Sequence, residues 1–221
     1  PNKKIVRFDG DSGSDHSVDA RYKELYDGTI DIIIGTQVIA KGIDIPHLDT
    51  VGIVQADAGL ALPDFTSSER VFQLISQAVG RVGRGHTDTT NVIVQSYQPE
   101  HPAVRYGVSQ QYLTFYDQEI AIRQRYKFPP FSYLLKCTCI YKTEAAAIRN
   151  AKAVARSFRD TLLSDEKILG PAPAFYEQQN GTYRWQLIVQ SPRRKRLATL
   201  ATTILPANNH WQHELDPGSL L

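Results

Sequence analysis

Two arginines three residues apart, Arg81 and Arg84, stand among Gly80, Gly83 and Gly85 in the stretch QAVGRVGRGHTD (77–88), directly behind an apolar helical pattern. An arginine fork grips phosphate or carboxylate oxygens through paired, planar N–H donors. Glycine lets a backbone approach a ligand or another domain closely, and inside a helix each one costs on the order of 1 kcal/mol relative to alanine. A helix C-terminal cap accounts for Gly85 and Arg84. It leaves Gly80 and Gly83 without a purpose, and the stretch taken alone leaves capping and phosphate recognition both open.

A second constellation is GTQVIAKGIDIP (35–46). It offers a backbone turn at Gly35, a hydroxyl at Thr36, an amide at Gln37, a cation at Lys41 and the pair Gly42 and Asp44. These are types that grip phosphate and ribose without covalent chemistry, and they follow a strand pattern, where α/β domains bind ligands. As plain structure the same residues are loop glycines, a solvated lysine and a turn aspartate before Pro46. ADAGLALPDF (56–65) occupies an equivalent place after the next strand pattern.

A third lies between Tyr183 and Arg196, where Arg184, Arg193, Arg194, Lys195 and Arg196 occur with no acid and with Tyr183 and Trp185 interleaved. Basic groups beside aromatics suit phosphates and bases, and they suit an acidic peptide equally well. As plain structure, Trp185 is core on an alternating strand and the RRKR run is a solvated helix start. Cations at a helix N-terminus oppose the dipole, which favours binding over stability as the reason for the run.

The elements that must position these residues fall into two kinds. Up to about residue 100 strand and helix patterns alternate: KIVRF (4–8), a helix over 17–28, the buried-strand pattern DIIIGT (31–36), TVGIVQADA (50–58), a helix over 67–81 and NVIVQSY (91–97). Such alternation predicts a parallel sheet covered by helices. A long helix is expected over 101–127, stopped by FPPF (128–131). Beyond it the order is strand, helix, strand, strand, helix, strand, which is that of the ferredoxin-like unit. The expected domains are therefore 1–100, a helical linker over 101–128, and a smaller α+β domain over 129–221.

Composition bounds the rest. The 221 residues suffice for two modest domains, with 42% hydrophobic and 22% charged residues. No apolar run approaches 18 residues and no leader pattern is visible, so the expected compartment is the cytoplasm. The chain has no Met and begins at Pro1, which predicts a fragment. Cys137 and Cys139 share a strand face and are expected to be buried thiols, with no metal site. Residues 1–100 carry 9 Lys and Arg against 14 Asp and Glu, net −5, whereas 101–221 carry 16 against 9, net +7. The C-terminal half is thus the one expected to face a polyanion.

The combination of GTQ…KGxDxP, a further strand and QxxGRxGR resembles motifs V and VI in the second RecA-like lobe of superfamily 2 helicases. With FPPFSYL, ILGPAPA and YRWQLIVQSPRRKRL it resembles the PriA (primosomal protein N′) family of bacterial replication-restart helicases over nearly the whole chain. Val82 departs from the Ala usual there, and GRVGRG is closer to RecG-like fork helicases. The resemblance implies that Arg81 and Arg84 reach the ATP γ-phosphate held by the other lobe, and that Gly35, Thr36, Gln37, Lys41, Gly42, Asp44, Gln77 and Gly80 couple ATP to DNA. It implies binding of forked and single-stranded DNA, of the acidic tail of single-stranded DNA-binding protein and of other primosome proteins, involving Arg184, Trp185, Arg193, Arg194, Lys195 and Arg196. It implies ATP and Mg²⁺ for the whole protein, a bacterial cytoplasmic setting at the nucleoid, and zinc in the full-length family with no zinc ligands in this segment. The sequence contains no GxxxxGK[ST] loop and no DExH box, so this segment alone is expected to be inactive. Two other readings compete: a RecG-like motor, and a non-catalytic adaptor with a decayed motor lobe.

Overall fold

Residues 3–8, 21–36, 45–80 and 91–221 are described by the structure, a computed structural model. The chain divides into two compact units, one of Pro1–Ala61 with Ser67–Gln118, the other of Leu62–Thr66 with Glu119–Leu221.

In the first unit, β1 (Ile5–Phe8) pairs in parallel with β2 (Ile32–Gly35), and β3 (Thr50–Ile53) with β4 (Asn91–Val94). Between β1 and β2 lies α1 (Tyr22–Tyr26), whose Leu25 packs with Val6 and Phe8. The pattern DIIIGT predicts a fully buried strand, yet Ile32 and Ile34 are exposed, and only Ile33 packs towards that small cluster. Alternation along a strand explains the split, since successive side chains leave on opposite faces.

A 3-10 turn (Ala58–Ala61) leads towards α2 (Ser67–Val79), which buries Val71, Phe72, Ile75 and Ala78 at helical spacing. The helix expected over 101–127 is two helices, α3 (Pro102–Ser109) and α4 (Tyr112–Tyr126). His101 caps α3 by accepting from the Ala103 amide at 3.2 Å, and Pro102 begins the helix, where its missing N–H costs nothing. Gln110 adopts the left-handed conformation at φ 55° and ends α3, which breaks the continuous periodic pattern. Phe115 of α4 stacks on Phe72 at 4.2 Å between centroids.

The second unit carries β5 (Tyr133–Tyr141), α5 (Glu144–Arg159), β6 (Lys167–Gln179), β7 (Thr182–Ser191), α6 (Arg194–Ile204) and β8 (Trp211–Leu215). Its antiparallel sheet runs β6-β7-β5-β8, the ferredoxin-like order. Pro171 and Pro173, which lack N–H donors, sit on edge strand β6 where the ladder with β7 shifts register. Thr143 caps α5, and the alanines Ala147, Ala151 and Ala155 let that helix lie close on the sheet. Both helices pack on one face, where Val154, Phe158, Leu197 and Leu200 meet Leu135, Cys137, Cys139, Leu187, Val189 and Trp211. Among the described residues neither α5 nor α6 covers the opposite face, where Leu134 and Ile188 meet Phe65, Phe128 and Leu220 and Gln190 donates to the Tyr126 carbonyl at the end of α4 at 3.4 Å. That face also carries Lys136 and Thr138 of β5 beside Arg184 and Gln186 of β7.

Candidate nucleic-acid interface

Gly35 closes β2 and Thr36 follows it, both exposed, so the first two groups of the GTQ…KGxDxP constellation stand at a strand's carboxyl end. Gln37, Lys41, Gly42 and Asp44 lie outside the described residues, as do Arg81 and Arg84. Gln77 is exposed on α2 and Gly80 is half-buried just past its end. The Gly80 amide donates to the Ser76 carbonyl at 3.0 Å, and a Cβ there would come within 3.2 Å of that same carbonyl. Glycine at this position therefore serves a tight helix end. Nearby in the same unit, buried Asp57 accepts from the Tyr97 amide at 3.1 Å. Burial would raise its carboxyl, but hydrogen bonds from Ser96, its own amide, Tyr97 and Gln98 hold it below the usual range.

The basic stretch separates into two places. Arg193, Arg194, Lys195 and Arg196 surround the start of α6, and three of them are tied to acids. Arg193 contacts Asp165 at 2.5 Å and Glu166 at 3.3 Å, Arg194 contacts Asp216 at 2.6 Å, and Arg196 donates to Glu166 at 2.8 and 3.0 Å. Glu166 is buried and also accepts from Ser191 Oγ at 2.9 Å and from the Leu163 amide at 3.0 Å. Burial works against its charge, but these donors prevail and hold the carboxyl below its ordinary value. The exposed Lys195 has no such partner among the described residues. Acids distant in sequence at 165, 166 and 216 thus answer a run that looks unpaired when read locally.

Arg184 lies towards the other end of β7, opposite Ile140 of β5, while Ser191 at the α6 end faces Tyr133. Its neighbour Trp185 faces the helices and packs against the hydrophobic core. Arg184 and Trp185 therefore cannot meet one ligand side by side, because adjacent strand residues face opposite ways. Arg184 instead joins Lys136, Gln186 and Tyr176 around a cavity of about 400 Å³ on the face that α5 and α6 leave uncovered. Sequence reading missed Lys136 and Tyr176, since only the strand pairing brings them beside Arg184.

Residues 2–86 match the family described as helicase conserved C-terminal domain, and residues 124–217 match the primosomal protein N C-terminal domain. The chain is 34% identical over 98% of its length to replication restart protein PriA of Bacillus subtilis, covering 26% of that protein. It is 35% identical over its whole length to replication restart protein PriA of Treponema pallidum, covering 34% of that protein. The chain belongs to the PriA family. It spans about a quarter to a third of these curated relatives. The parallel pairs of the first unit are those of a RecA-like lobe, and the PriA-family C-terminal match falls on the antiparallel second unit. Among the described residues no cluster of three or more His, Cys, Asp or Glu could hold a metal ion, and no helix is long and apolar enough to cross a membrane.

Proposed function

We propose that this chain forms lobe 2 and the following domain of an ATP-dependent 3′-to-5′ DNA helicase that acts at stalled replication forks and restarts replication by primosome assembly. The observation carrying the reading is that one chain joins a helicase C-terminal match to a primosomal C-terminal match, in that order. Residues 1–100 make the motor lobe, 101–128 the helical linker and 129–221 the DNA- and partner-binding domain. The partners are forked and single-stranded DNA, the acidic tail of single-stranded DNA-binding protein and other primosome proteins, in the bacterial cytoplasm.

In this reading Arg81 and Arg84 neutralise charge on the ATP γ-phosphate as arginine fingers. Gly35, Thr36, Gln37, Lys41, Gly42, Asp44, Gln77 and Gly80 couple that site to the tracked strand. No Walker loop occurs in this sequence, so the ATP phosphates and Mg²⁺ are held by residues outside it. Any zinc of the full-length family is likewise held elsewhere.

The test is Arg84→Ala in the full-length protein. ATP turnover should fall by roughly 10³ with DNA affinity retained, the scale of an arginine finger. Turnover within a few-fold of the parent would reject the assignment.

A further inference from the structure

The face of the antiparallel sheet turned away from α5 and α6 carries an unpaired guanidinium. The Arg184 guanidinium makes no hydrogen bond or ion pair with any described residue, and its Nε is sealed from solvent. The sealed Nε lies beyond the reach of a ligand, while the remaining guanidinium N–H groups border the cavity with no acceptor among the described residues. Beside it, Gln186 has the complementary lack. Its Nε2 donates to the Leu220 carbonyl at 3.2 Å, while its Oε1 is buried with no donor. The β5 register sets Thr138 directly opposite Gln186. Lys136, two residues earlier on the same face, donates to Ser219 and Leu221 backbone oxygens and lines the cavity wall, where burial pulls its pKa below the ordinary lysine value. Tyr176 of β6 also lines the cavity and is 66% exposed, with Phe175 edge-on to it at 5.0 Å.

We infer that this cavity is a binding pocket for one nucleotide of a single strand, with a backbone phosphate on the cavity-facing N–H groups of Arg184 and the base stacked on Tyr176. The cavity of about 400 Å³ falls in the range of small-ligand pockets. A nucleotide is the occupant that uses both the cation and the ring. An acidic side chain answers the guanidinium and leaves Tyr176 idle. An open sheet face bearing aromatics and cations suits unpaired bases, because their π faces and edges are available only when they are not in a duplex. Glu214 also lines the cavity, opposite Lys136 in the ladder, and it limits the net positive charge. Recognition there thus rests on the fork and the ring more than on bulk field. The inference rests on the reading of this chain as part of a DNA-handling protein and places one point of contact on its sheet.

The experiment titrates the 221-residue chain with a fluorescein-labelled single strand of about 15 nucleotides, with the same strand made abasic, and with an acidic peptide. Stacking on an aromatic is worth about 1–3 kcal/mol per base, so Tyr176→Ala should weaken binding of the strand on the order of tenfold and leave abasic-strand binding unchanged. Arg184→Ala should weaken both strands by a similar factor, with the melting temperature not lowered, since the Arg184 guanidinium has no protein partner to lose. Arg184→Ala and Tyr176→Ala variants that bind the strand like the parent would overturn the pocket. So would an acidic peptide that binds the parent and is lost in Arg184→Ala while the strand is not, which would make this a peptide site. Failure of the parent to bind any strand would also overturn it. None of these results bears on the ATP-site reading, which stands or falls on turnover in Arg84→Ala.

Discussion

Arg196 Nε spans both carboxylate oxygens of Glu166, at 2.8 and 3.0 Å, and so ties the first turn of α6 to the loop that enters β6. The pair is closed from the other side by Ser191 Oγ at the end of β7. Three segments distant in sequence therefore converge on one buried carboxylate. Such a group is costly to bury and costlier to strip of its partners.

Glu166→Gln should accordingly destabilise the second unit by about 2 kcal/mol near neutral pH, the scale for losing hydrogen bonds to a charged buried group. The carboxyl is held below its ordinary value of 4.5. Its contribution is thus fully present above that value and is lost as pH falls through the lowered one. Denaturant titrations of parent and variant should show a gap near pH 7 that narrows near pH 3. A gap of the same size at both would remove the charge from the explanation.

Gly107 of α3 packs against α2 in the first unit. A Cβ there would stand 3.0 Å from Ile75 Cβ, the root of a fully buried side chain that has nowhere to move. Gly107→Ala should therefore destabilise that unit by about 1–3 kcal/mol through overpacking, despite alanine's better helix propensity. Stability unchanged or raised by the substitution would mean that α2 and α3 can slide apart freely.

Cys137 and Cys139 are wholly buried on the helix-covered face, and burial pushes their thiols up to about 12 and about 11. The thiolate is the reactive form, so neither should be labelled by a thiol reagent near pH 8 in the folded chain. Both should react once denaturant is added. Rapid labelling of the native chain would show that β5 opens to solvent.

The second unit was largely legible in its sequence. Period-two runs such as LLKCTCIY and the apolar spacing in EAAAIRNAKAVARSFRD specify strand and helix directly, and the βαββαβ order then admits few sheets. The single helix expected over 101–127 failed at Gln110, because a left-handed glutamine leaves no mark in the periodicity. Trp185, open in the sequence between a core position and an aromatic beside the cations, packs against the hydrophobic core, because adjacent strand residues face opposite ways. Lys136 and Tyr176 were invisible as cavity residues because only the pairing of β5 and β6 with β7 brings them to Arg184. The RRKR run read as unpaired because its acids sit at 165, 166 and 216.

That pairing divides the run's four cations by role. Lys195 is exposed and has no acidic partner among the described residues, whereas Arg196 is committed to Glu166. If the run attracts single-stranded DNA, Lys195→Ala should flatten the dependence of log affinity on log salt by about 0.7, the value of one phosphate contact, at an unchanged melting temperature. Arg196→Ala should do the reverse, lowering the melting temperature by about 2–4 °C per kcal/mol lost and altering the salt slope little, because its charge is already answered by a carboxylate. The comparison needs a thermal melt and a titration of each variant at several salt concentrations. An Arg196→Ala chain that melts like the parent and loses as much slope as Lys195→Ala would mean that the ion pair with Glu166 opens to release the guanidinium, and that the whole run acts as free charge towards its ligand.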